Sequence, residues 1–165
     1  MYISSMNNIG YACINMNLSK CKPKVTTNRS MIKRTFTEKG LPYASELALQ
    51  NCKDLLTILK WNKDNGINFF RMSSDLIPWA SEYKLDDLPD HWDIVATLGE
   101  CGKFAEENNI RITSHPGPFN VLTSPHEHVV DNCIKDLSIH GEVFDLMGLS
   151  RTPYNKINIH IGGAY

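Results

Sequence analysis

Ile110-Arg111-Ile112-Thr113-Ser114-His115-Pro116-Gly117 is a short apolar run that predicts a strand ending in a histidine and a tight turn. A second run, Ile157-Asn158-Ile159-His160-Ile161, precedes Gly162-Gly163. The carboxyl ends of parallel strands meet at one mouth of an α/β barrel, where such barrels keep their chemistry. We therefore expect His115 and His160 to face one cavity. Two imidazoles begin a divalent-metal site but rarely complete one, so the pattern indicates half of a metal-dependent site.

Strands and helices alternate along the sequence. Apolar runs predict strands at 9–14, 67–72, 110–113 and 157–161. Helices are predicted over 45–65, from a cap at Asp90, and from a capping box at Ser124 to Met147. The inward stripes of the first two helices are Ala44, Ala48, Cys52, Leu55, Leu59, Ile94, Leu98, Cys101 and Ala105. This order predicts an α/β fold of parallel βα units, either an open doubly wound sheet or half of an eight-stranded barrel.

Composition limits the class of protein. The chain has 165 residues, 42% of them hydrophobic, which suits one domain over 1–165. No apolar run approaches the roughly 18 residues that span a membrane, and the N-terminus lacks the features of a secretion signal. The five cysteines include no Cys-x-x-Cys pair, which favours a reducing compartment over a disulfide framework. We expect an intracellular, non-secreted protein.

Basic residues are concentrated near the N-terminus. Residues 1–40 contain seven lysines and arginines and the single acid Glu38, although the net charge of the chain is −1. A polar connection over about 15–41 has no clear periodicity, and a loop of that length is typically functional or disordered. Such a basic segment suits contact with a phosphate backbone, through Lys33 and Arg34. A solvated, mobile loop is the alternative.

Other polar residues have plainer explanations. His140 lies near the inner stripe of its helix and is predicted to be packed and hydrogen-bonded. His126 and His128 do not share a helix face, so they do not predict a metal clip. Ser73-Ser74-Asp75 leaves the second strand at the same end as the histidines, and could bind a phosphate or a metal-bound water, or simply cap the turn. No phosphate-binding loop or dinucleotide fingerprint occurs, which argues against a nucleotide-binding enzyme.

Six stretches of this sequence, in order from Ile9 onward, resemble the ultraviolet-damage DNA endonucleases. They are Ile9-Gly10-Tyr11-Ala12-Cys13-Ile14-Asn15, Thr26-Thr27-Asn28-Arg29, residues 65–76, His115-Pro116-Gly117-x-Phe119-Asn120, Asp145-Leu146-Met147-Gly148 and residues 156–163. Several are long and unusual, so the resemblance is specific. It implies an eight-stranded α/β barrel related to the three-metal apurinic endonucleases. It also implies incision of double-stranded DNA 5′ to ultraviolet photoproducts, with clustered Mn²⁺ or Zn²⁺.

The resemblance also implies roles for single residues. His115 and His160 fall on two of the family's metal ligands. Tyr11 and Asn15 fall on residues that line the pocket for the damaged nucleotides. Pro118 and Phe119 fall on the pair that wedges into the duplex, and Asn120 completes that DNA-binding stretch.

Two departures from the family pattern affect the expected activity. The family usually has glutamine where this chain has Pro118, so one wedge residue lacks its amide. The family's bridging glutamate and later ligands belong to strands five to eight, so we expect a truncated N-terminal half-barrel with an incomplete metal cluster. A second chain could supply the missing half. The alternatives are a catalytically inactive DNA-binding half-barrel and a sugar isomerase-like barrel. The basic first loop and the aromatic residue after His-Pro-Gly argue against the isomerase.

Overall fold

Parallel strands alternate with helices in this fold, as the sequence predicts. The structure is a computed structural model, and it describes residues 9–117 and 120–159. Its strands are β1 (Gly10–Ala12), β2 (Phe69–Met72) and β3 (Arg111–Ser114), and its helices are α1 (Lys33–Asp64), α2 (His91–Glu107) and α3 (Glu127–Leu146). Short 3-10 turns lie at Leu18–Lys20, Ala80–Glu82 and Leu85–Asp87. The strands pair in parallel in the order β1-β2-β3, so the prediction of parallel βα units is confirmed.

The helices cover one face of this sheet. Tyr11 pairs with Phe70, and Phe70 with Ile112, so that these three side chains lie on the same face. Phe70 and Ile112 are fully buried, and the predicted stripes of α1 and α2 pack in the same core with exposures of 1% or less. The periodicity of those two helices therefore identified the core correctly.

The opposite face of the sheet is polar and aromatic. Phe69, Arg71, Arg111 and Thr113 alternate with the core residues, and the Arg111 guanidinium lies 5.2 Å from the centre of the Phe69 ring. Arg71 Nε and Thr113 Oγ1 are buried, yet no described residue forms a hydrogen bond with either atom. A buried polar atom without a partner is costly, which indicates that this face normally meets further polar groups.

The fourth predicted strand begins beside β3. Ile157 forms an isolated parallel bridge with Ser114, in which Ser114 N donates to Lys156 O and Asn158 N donates to Ser114 O. The end of the predicted strand, from His160, lies outside the described residues. The segment over 156–158 therefore extends the sheet order next to β3.

The predicted long loop was wrong over its second half, because α1 begins at Lys33. Gly40 adopts φ 63° and ψ −157°, which kinks the helix, and Pro42 stands just inside the segment that resumes after the kink. Proline suits the first turn of a helix, where no backbone N–H is required. Lys33 and Arg34 thus lie on a helical segment and not on a loop. Phe36, on the same segment, stacks on Trp79 with ring centres 5.2 Å apart.

The first half of the connection is packed against α1. Asp54, which is buried, accepts a hydrogen bond from Thr26 N at 2.7 Å and forms an ion pair with Arg29 Nη1 at 2.7 Å. The side chain of Asn51 contacts the backbone of Arg29 through both its carbonyl and its amide. The reading of this stretch as a solvated loop is therefore wrong for 26–29.

Both predicted helix caps differ in detail from the structure. Asp90 does precede α2, but its Oδ2 accepts a hydrogen bond from Ser45 Oγ at 2.7 Å instead of capping the helix. Ser124 Oγ accepts a hydrogen bond from His126 N at 3.2 Å, two residues on as in a cap, but α3 itself begins at Glu127. For Asp90, a tertiary contact takes the oxygen that the sequence pattern assigned to the cap. No helix within 9–117 and 120–159 is long and apolar enough to cross a membrane.

Candidate active site at the carboxyl ends of the strands

Two loops and one helix enclose a cleft at the carboxyl end of the sheet. The cleft has a volume of about 830 Å³ and is lined by residues that follow β2, residues that follow β3 and the first half of α3. Asp75, Gly117, Asn120 and Asp136 are among them. Polar and charged side chains thus converge where α/β barrels place their chemistry.

His115 occupies the loop directly after β3. Its imidazole is half-buried, and Nδ1 lies 2.8 Å from Pro116 O. A carbonyl oxygen can only accept, so Nδ1 carries the proton and the lone pair is on Nε2. Metal-ligating histidines are commonly fixed by such a hydrogen bond to a backbone carbonyl. His160, its predicted partner, lies outside the described residues, so their shared cavity stays a prediction.

The metal prediction has only partial support in the described chain. Within 9–117 and 120–159, no group of three or more histidine, cysteine, aspartate or glutamate side chains could hold a metal ion. His115 fits as one ligand, because Pro116 O engages its Nδ1–H and leaves Nε2 as the ligating nitrogen. One histidine does not make a metal site, so the metal stays a prediction.

His140 is packed and hydrogen-bonded, which confirms its predicted structural role. It is 8% exposed, and its Nδ1 lies 2.8 Å from Ser114 Oγ, while Nε2 lies 3.8 Å from Asp136 Oδ2. Burial lowers the pKa of His140, the carboxylate of Asp136 opposes this by raising it, and His115, when its own ring is protonated, lowers it further. His140 therefore stays neutral over most of the physiological range and links α3 to the end of β3.

Asn120 closes the loop that follows His115. Its backbone N–H donates to Gly117 O at 3.1 Å, and its side-chain amide donates to Gly117 O at 3.1 Å and to Asp136 Oδ2 at 2.7 Å. The residue is 8% exposed, so this amide points into the protein. Pro118 and Phe119, the predicted wedge pair, lie outside the described residues. The prediction that Asn120 contacts DNA stays untested.

The sequence left two roles open for the turn that holds Ser73 and Asp75, which were binding a phosphate or metal-bound water and capping the turn. Ser73 Oγ accepts a hydrogen bond from Asp75 N at 3.2 Å and so caps the turn after β2. The Asp75 carboxylate lines the cleft, and its pKa is raised by burial and, to a smaller extent, by the nearby charge of Asp136. A carboxyl group with a raised pKa at a cleft is a common feature of functional sites.

Tyr11 and Asn15, the predicted lesion-pocket residues, contact each other directly. Asn15 Nδ2 donates to the Tyr11 hydroxyl at 2.7 Å, and that hydroxyl donates to Asn62 Oδ1 at 2.6 Å. Burial raises the pKa of Tyr11, although its two hydrogen bonds lower it. Both residues line a shallow pocket of about 210 Å³ that also contains Ile14, Met16 and Trp61. The structure thus brings the two residues together beside a pocket, and their contact with damaged nucleotides stays a prediction.

Lys33 and Arg34, the predicted phosphate contacts, are exposed on the first turns of α1. Arg34 Nε lies 2.8 Å from Glu38 Oε1, so its charge is partly compensated by a surface ion pair. Sequence reasoning missed two polar residues, the buried Asn62 and the partly exposed Asp136. Each could have been found, because Asp136 stands four residues before His140 and Asn62 interrupts the apolar stripe of α1.

Residues 7–165 match the family model described as UV-endonuclease UvdE. The chain belongs to the UvdE family. It is 38% identical to a UV-damage endonuclease of Schizosaccharomyces pombe over 164 residues, which is 95% of this chain and 26% of that protein. It is 34% identical to a UV DNA damage endonuclease of Clostridium perfringens over 157 residues, which is 95% of this chain and 35% of that protein.

A solved structure of the UvdE family has the same fold. The crystal structure of SacUVDE superposes with a TM-score of 0.75 at 34% identity, covering 92% of this chain and 48% of that one. The chain therefore spans between about a quarter and a half of the relatives that it matches. The resemblance seen in the sequence is confirmed at the level of the family.

Proposed function

We propose that this protein takes part in metal-dependent incision of DNA 5′ to ultraviolet photoproducts, as a member of the UvdE family. The observation that carries the proposal is the family match over residues 7–165, and it is supported by His115, which follows β3 and has its Nδ1 2.8 Å from Pro116 O. Because the substrate would be cellular DNA, we propose an intracellular site of action.

The sheet supports an N-terminal half of a (β/α)8 barrel as the architecture. Three parallel strands lie in chain order with helices on one face, and the segment at Ile157 continues that order. The face with Phe69, Arg71 and Thr113 would line the interior of the barrel. Strands five to eight, in a continuation of this chain or in a partner chain, would then supply polar groups to Arg71 Nε and Thr113 Oγ1.

A divalent metal, Mn²⁺ or Zn²⁺, would be held by His115 and His160 together with ligands from the second half of the barrel. When bound, such metals lower the pKa of water and polarise a phosphodiester, which is the chemistry that hydrolysis of DNA requires. The contribution of this part of the chain is to fix the His115 ring, because Nδ1 is already committed to Pro116 O. Asp75 would add negative charge to the same mouth, where a cation is favoured.

DNA contact would involve three surfaces. Tyr11 and Asn15 would line the pocket for the extruded lesion, and Pro118 and Phe119 would enter the duplex opposite it. Photoproducts stack and pair poorly, so extruding them costs less than extruding intact bases. The exposed cations of the β1–α1 connection and of α1 would contact phosphates; they are Lys20, Lys22, Lys24, Lys33, Arg34 and Lys39.

A catalytically inactive DNA-binding half-barrel is the second candidate function. It is favoured by the lack of any group of three potential metal ligands within 9–117 and 120–159. The two functions share the DNA-binding surfaces and differ only in whether a complete metal cluster forms. Complementation therefore separates them.

The test is a nicking assay on a duplex with one photoproduct, in the presence of Mn²⁺. The chain is assayed alone, with a polypeptide that carries strands five to eight of a UvdE relative, and as His115→Ala with the same polypeptide. We expect incision 5′ to the lesion only for the wild-type pair. DNA binding without incision by any pair would favour the inactive half-barrel. Strong incision by the chain alone would show that its catalytic ligands have been misplaced.

A further inference from the structure

Asp136 contacts two residues, His140 and Asn120, and each of them is hydrogen-bonded to one end of the loop that carries His115. One set of contacts starts at Ser114, the last residue of β3, whose Oγ lies 2.8 Å from His140 Nδ1. The other ring nitrogen, Nε2, lies 3.8 Å from Asp136 Oδ2. At 3.8 Å the approach of Nε2 to Asp136 is an electrostatic contact, whereas the 2.8 Å separation makes Ser114 Oγ and His140 Nδ1 hydrogen-bond partners.

The second set of contacts starts at Gly117, on the other side of His115. Gly117 O accepts hydrogen bonds from both the backbone N–H and the side-chain amide of Asn120. The same amide donates to Asp136 Oδ2 at 2.7 Å. Asn120 therefore joins Gly117 to the oxygen that also faces His140.

The segment from Ser114 to Gly117 is thus hydrogen-bonded at its first residue to His140 and at its last residue to Asn120. We propose that Asp136 is a positioning residue, which holds the imidazole of His115 at the mouth of the sheet through His140 and Asn120. The inference rests on the proposed function, in which a His115 ring of fixed orientation would bind the metal. Asp136 does not itself contact that ring in the described geometry, so it acts through its two neighbours.

A carboxylate suits this position for a physical reason. Asn120 donates a hydrogen bond to Asp136 Oδ2, and hydrogen bonds to an ionised acceptor are roughly twice as strong as neutral ones; His140 Nε2 lies 3.8 Å from the same oxygen, within reach of its charge. The side chain of Asp136 is 33% exposed, so its charge stays partly hydrated and its burial costs little. Asparagine at this position keeps one acceptor oxygen but loses the charge.

The test uses the full chain without DNA or metal. Nuclear magnetic resonance of ¹⁵N-labelled protein reports which nitrogen of each histidine is protonated. Hydrogen exchange reports how well the side-chain amide of Asn120 is protected. In the wild type we expect His115 with its proton on Nδ1 and a protected Asn120 amide. In Asp136→Ala we expect mixed tautomers at His115 and exchange at Asn120 that is about tenfold faster, the factor for one lost charge-assisted hydrogen bond.

Two further variants separate the two neighbours. Asp136→Asn should keep the Asn120 amide protected, because its oxygen still accepts, and so should restore the tautomer of His115. Asn120→Ala should mix the tautomers of His115 while leaving His140 as in the wild type. If Asp136→Ala does not fold, these two variants decide the question, because a wild-type His115 spectrum in Asn120→Ala would overturn the proposal.

Asp131→Ala is the matched control, since Asp131 is an exposed aspartate on the same helix. It should leave both readouts at their wild-type values. An unchanged His115 spectrum in a folded Asp136→Ala variant would also overturn the positioning role. Neither result depends on incision, so the positioning role and the proposed function can fail separately.

Discussion

The guanidinium of Arg29 lies 2.7 Å from the carboxylate of Asp54, and this ion pair fastens the β1–α1 connection to α1. The Asp54 side chain is 8% exposed and that of Arg29 is 23% exposed, so the pair is largely shielded from water. Arg29 also donates to the carbonyls of Thr26 and Lys24. This arrangement differs from the ion pair of Arg34 and Glu38, in which both side chains are mostly exposed.

Arg29→Ala should destabilise the protein substantially, because it leaves the carboxylate of Asp54 buried beside fewer partners. We expect a loss of about 2–3 kcal/mol in the free energy of unfolding, below the value for a fully buried pair because Arg29 is partly exposed. Urea denaturation measures this loss. Arg34→Ala, the matched control in an exposed pair, should leave the midpoint unchanged. Equal midpoints for both variants would contradict the anchoring role.

Gly102→Ala should be strongly destabilising, since a Cβ at Gly102 would lie 1.7 Å from Met147 O. The carbonyl belongs to the backbone, so α2 and the end of α3 would have to separate, at a cost of about 2–3 kcal/mol or more. Gly141→Ala is the control, because nothing lies within 4 Å of a Cβ there. That change should stabilise α3 by roughly 0.5–1 kcal/mol through helix propensity. Thermal unfolding of the two variants should therefore shift in opposite directions.

Acidification should weaken the fold through His140. Burial lowers the pKa of His140, so the folded state binds its proton less readily than the unfolded state, where the pKa is about 6.5. The stability gained from neutral His140 is complete above that unfolded value and is lost as the pH falls through the interval down to the lowered folded pKa. Urea denaturation between pH 8 and pH 5 should show a shallower dependence in His140→Asn than in the wild type. Parallel curves would argue against this assignment.

The cysteines should differ sharply in reactivity. Burial raises the pKa of Cys52 to about 12 and also raises that of Cys101, whereas Cys21 is exposed. Because the thiolate is the reactive form, a disulfide reagent at pH 8 should modify Cys21 promptly and Cys52 and Cys101 only after unfolding. Mass spectrometry identifies the modified residues, and Cys21→Ser should remove the fast labelling that belongs to Cys21. Fast labelling of Cys52 in the native protein would contradict the packing described for α1.

Neutralising Lys33 and Arg34 should reduce the salt dependence of DNA binding. If each contacts a phosphate, Lys33→Gln with Arg34→Gln should lower the slope of log affinity against log salt by about two units. Lys103→Gln is the control, because Lys103 is an exposed cation on α2 paired with Glu107 at i+4, as Arg34 is with Glu38. Fluorescence anisotropy with undamaged duplex measures the slopes. An unchanged slope in the double variant would remove these residues from the DNA-binding surface.

The sequence predicted what depends on periodicity. Residues such as Leu55 and Leu98 recur at helical spacing, and their burial drives the packing of α1 and α2 whatever their distant partners are. The short apolar runs likewise located all three described strands to within a few residues. His140 was recognisable because a histidine on an apolar stripe must find a hydrogen bond.

The sequence could not predict features in which a distant residue and a local helix cap compete for the same side-chain oxygen. Ser45 takes the oxygen of Asp90 that a cap would use, and it stands 45 residues away in the chain. The kink at Gly40 joins two helical segments, although a glycine with a proline two residues later normally indicates a helix stop. The role of Asp136 depends on Asn120, which is distant on the sequence and lies in a loop without a periodic pattern.

The stack of Phe36 on Trp79 has a thermodynamic consequence for ligand binding. Phe36 stands on the same helical segment as Lys33 and Arg34, and the indole N–H of Trp79 donates to Met31 O at 2.8 Å. The cationic segment is thus ordered during folding, before any polyanion arrives. Fixing the backbone of a free segment costs about 1–2 kcal/mol for each residue, and that entropy loss is already incurred here. If this segment binds DNA as proposed, it can do so without a disorder-to-order transition of its backbone.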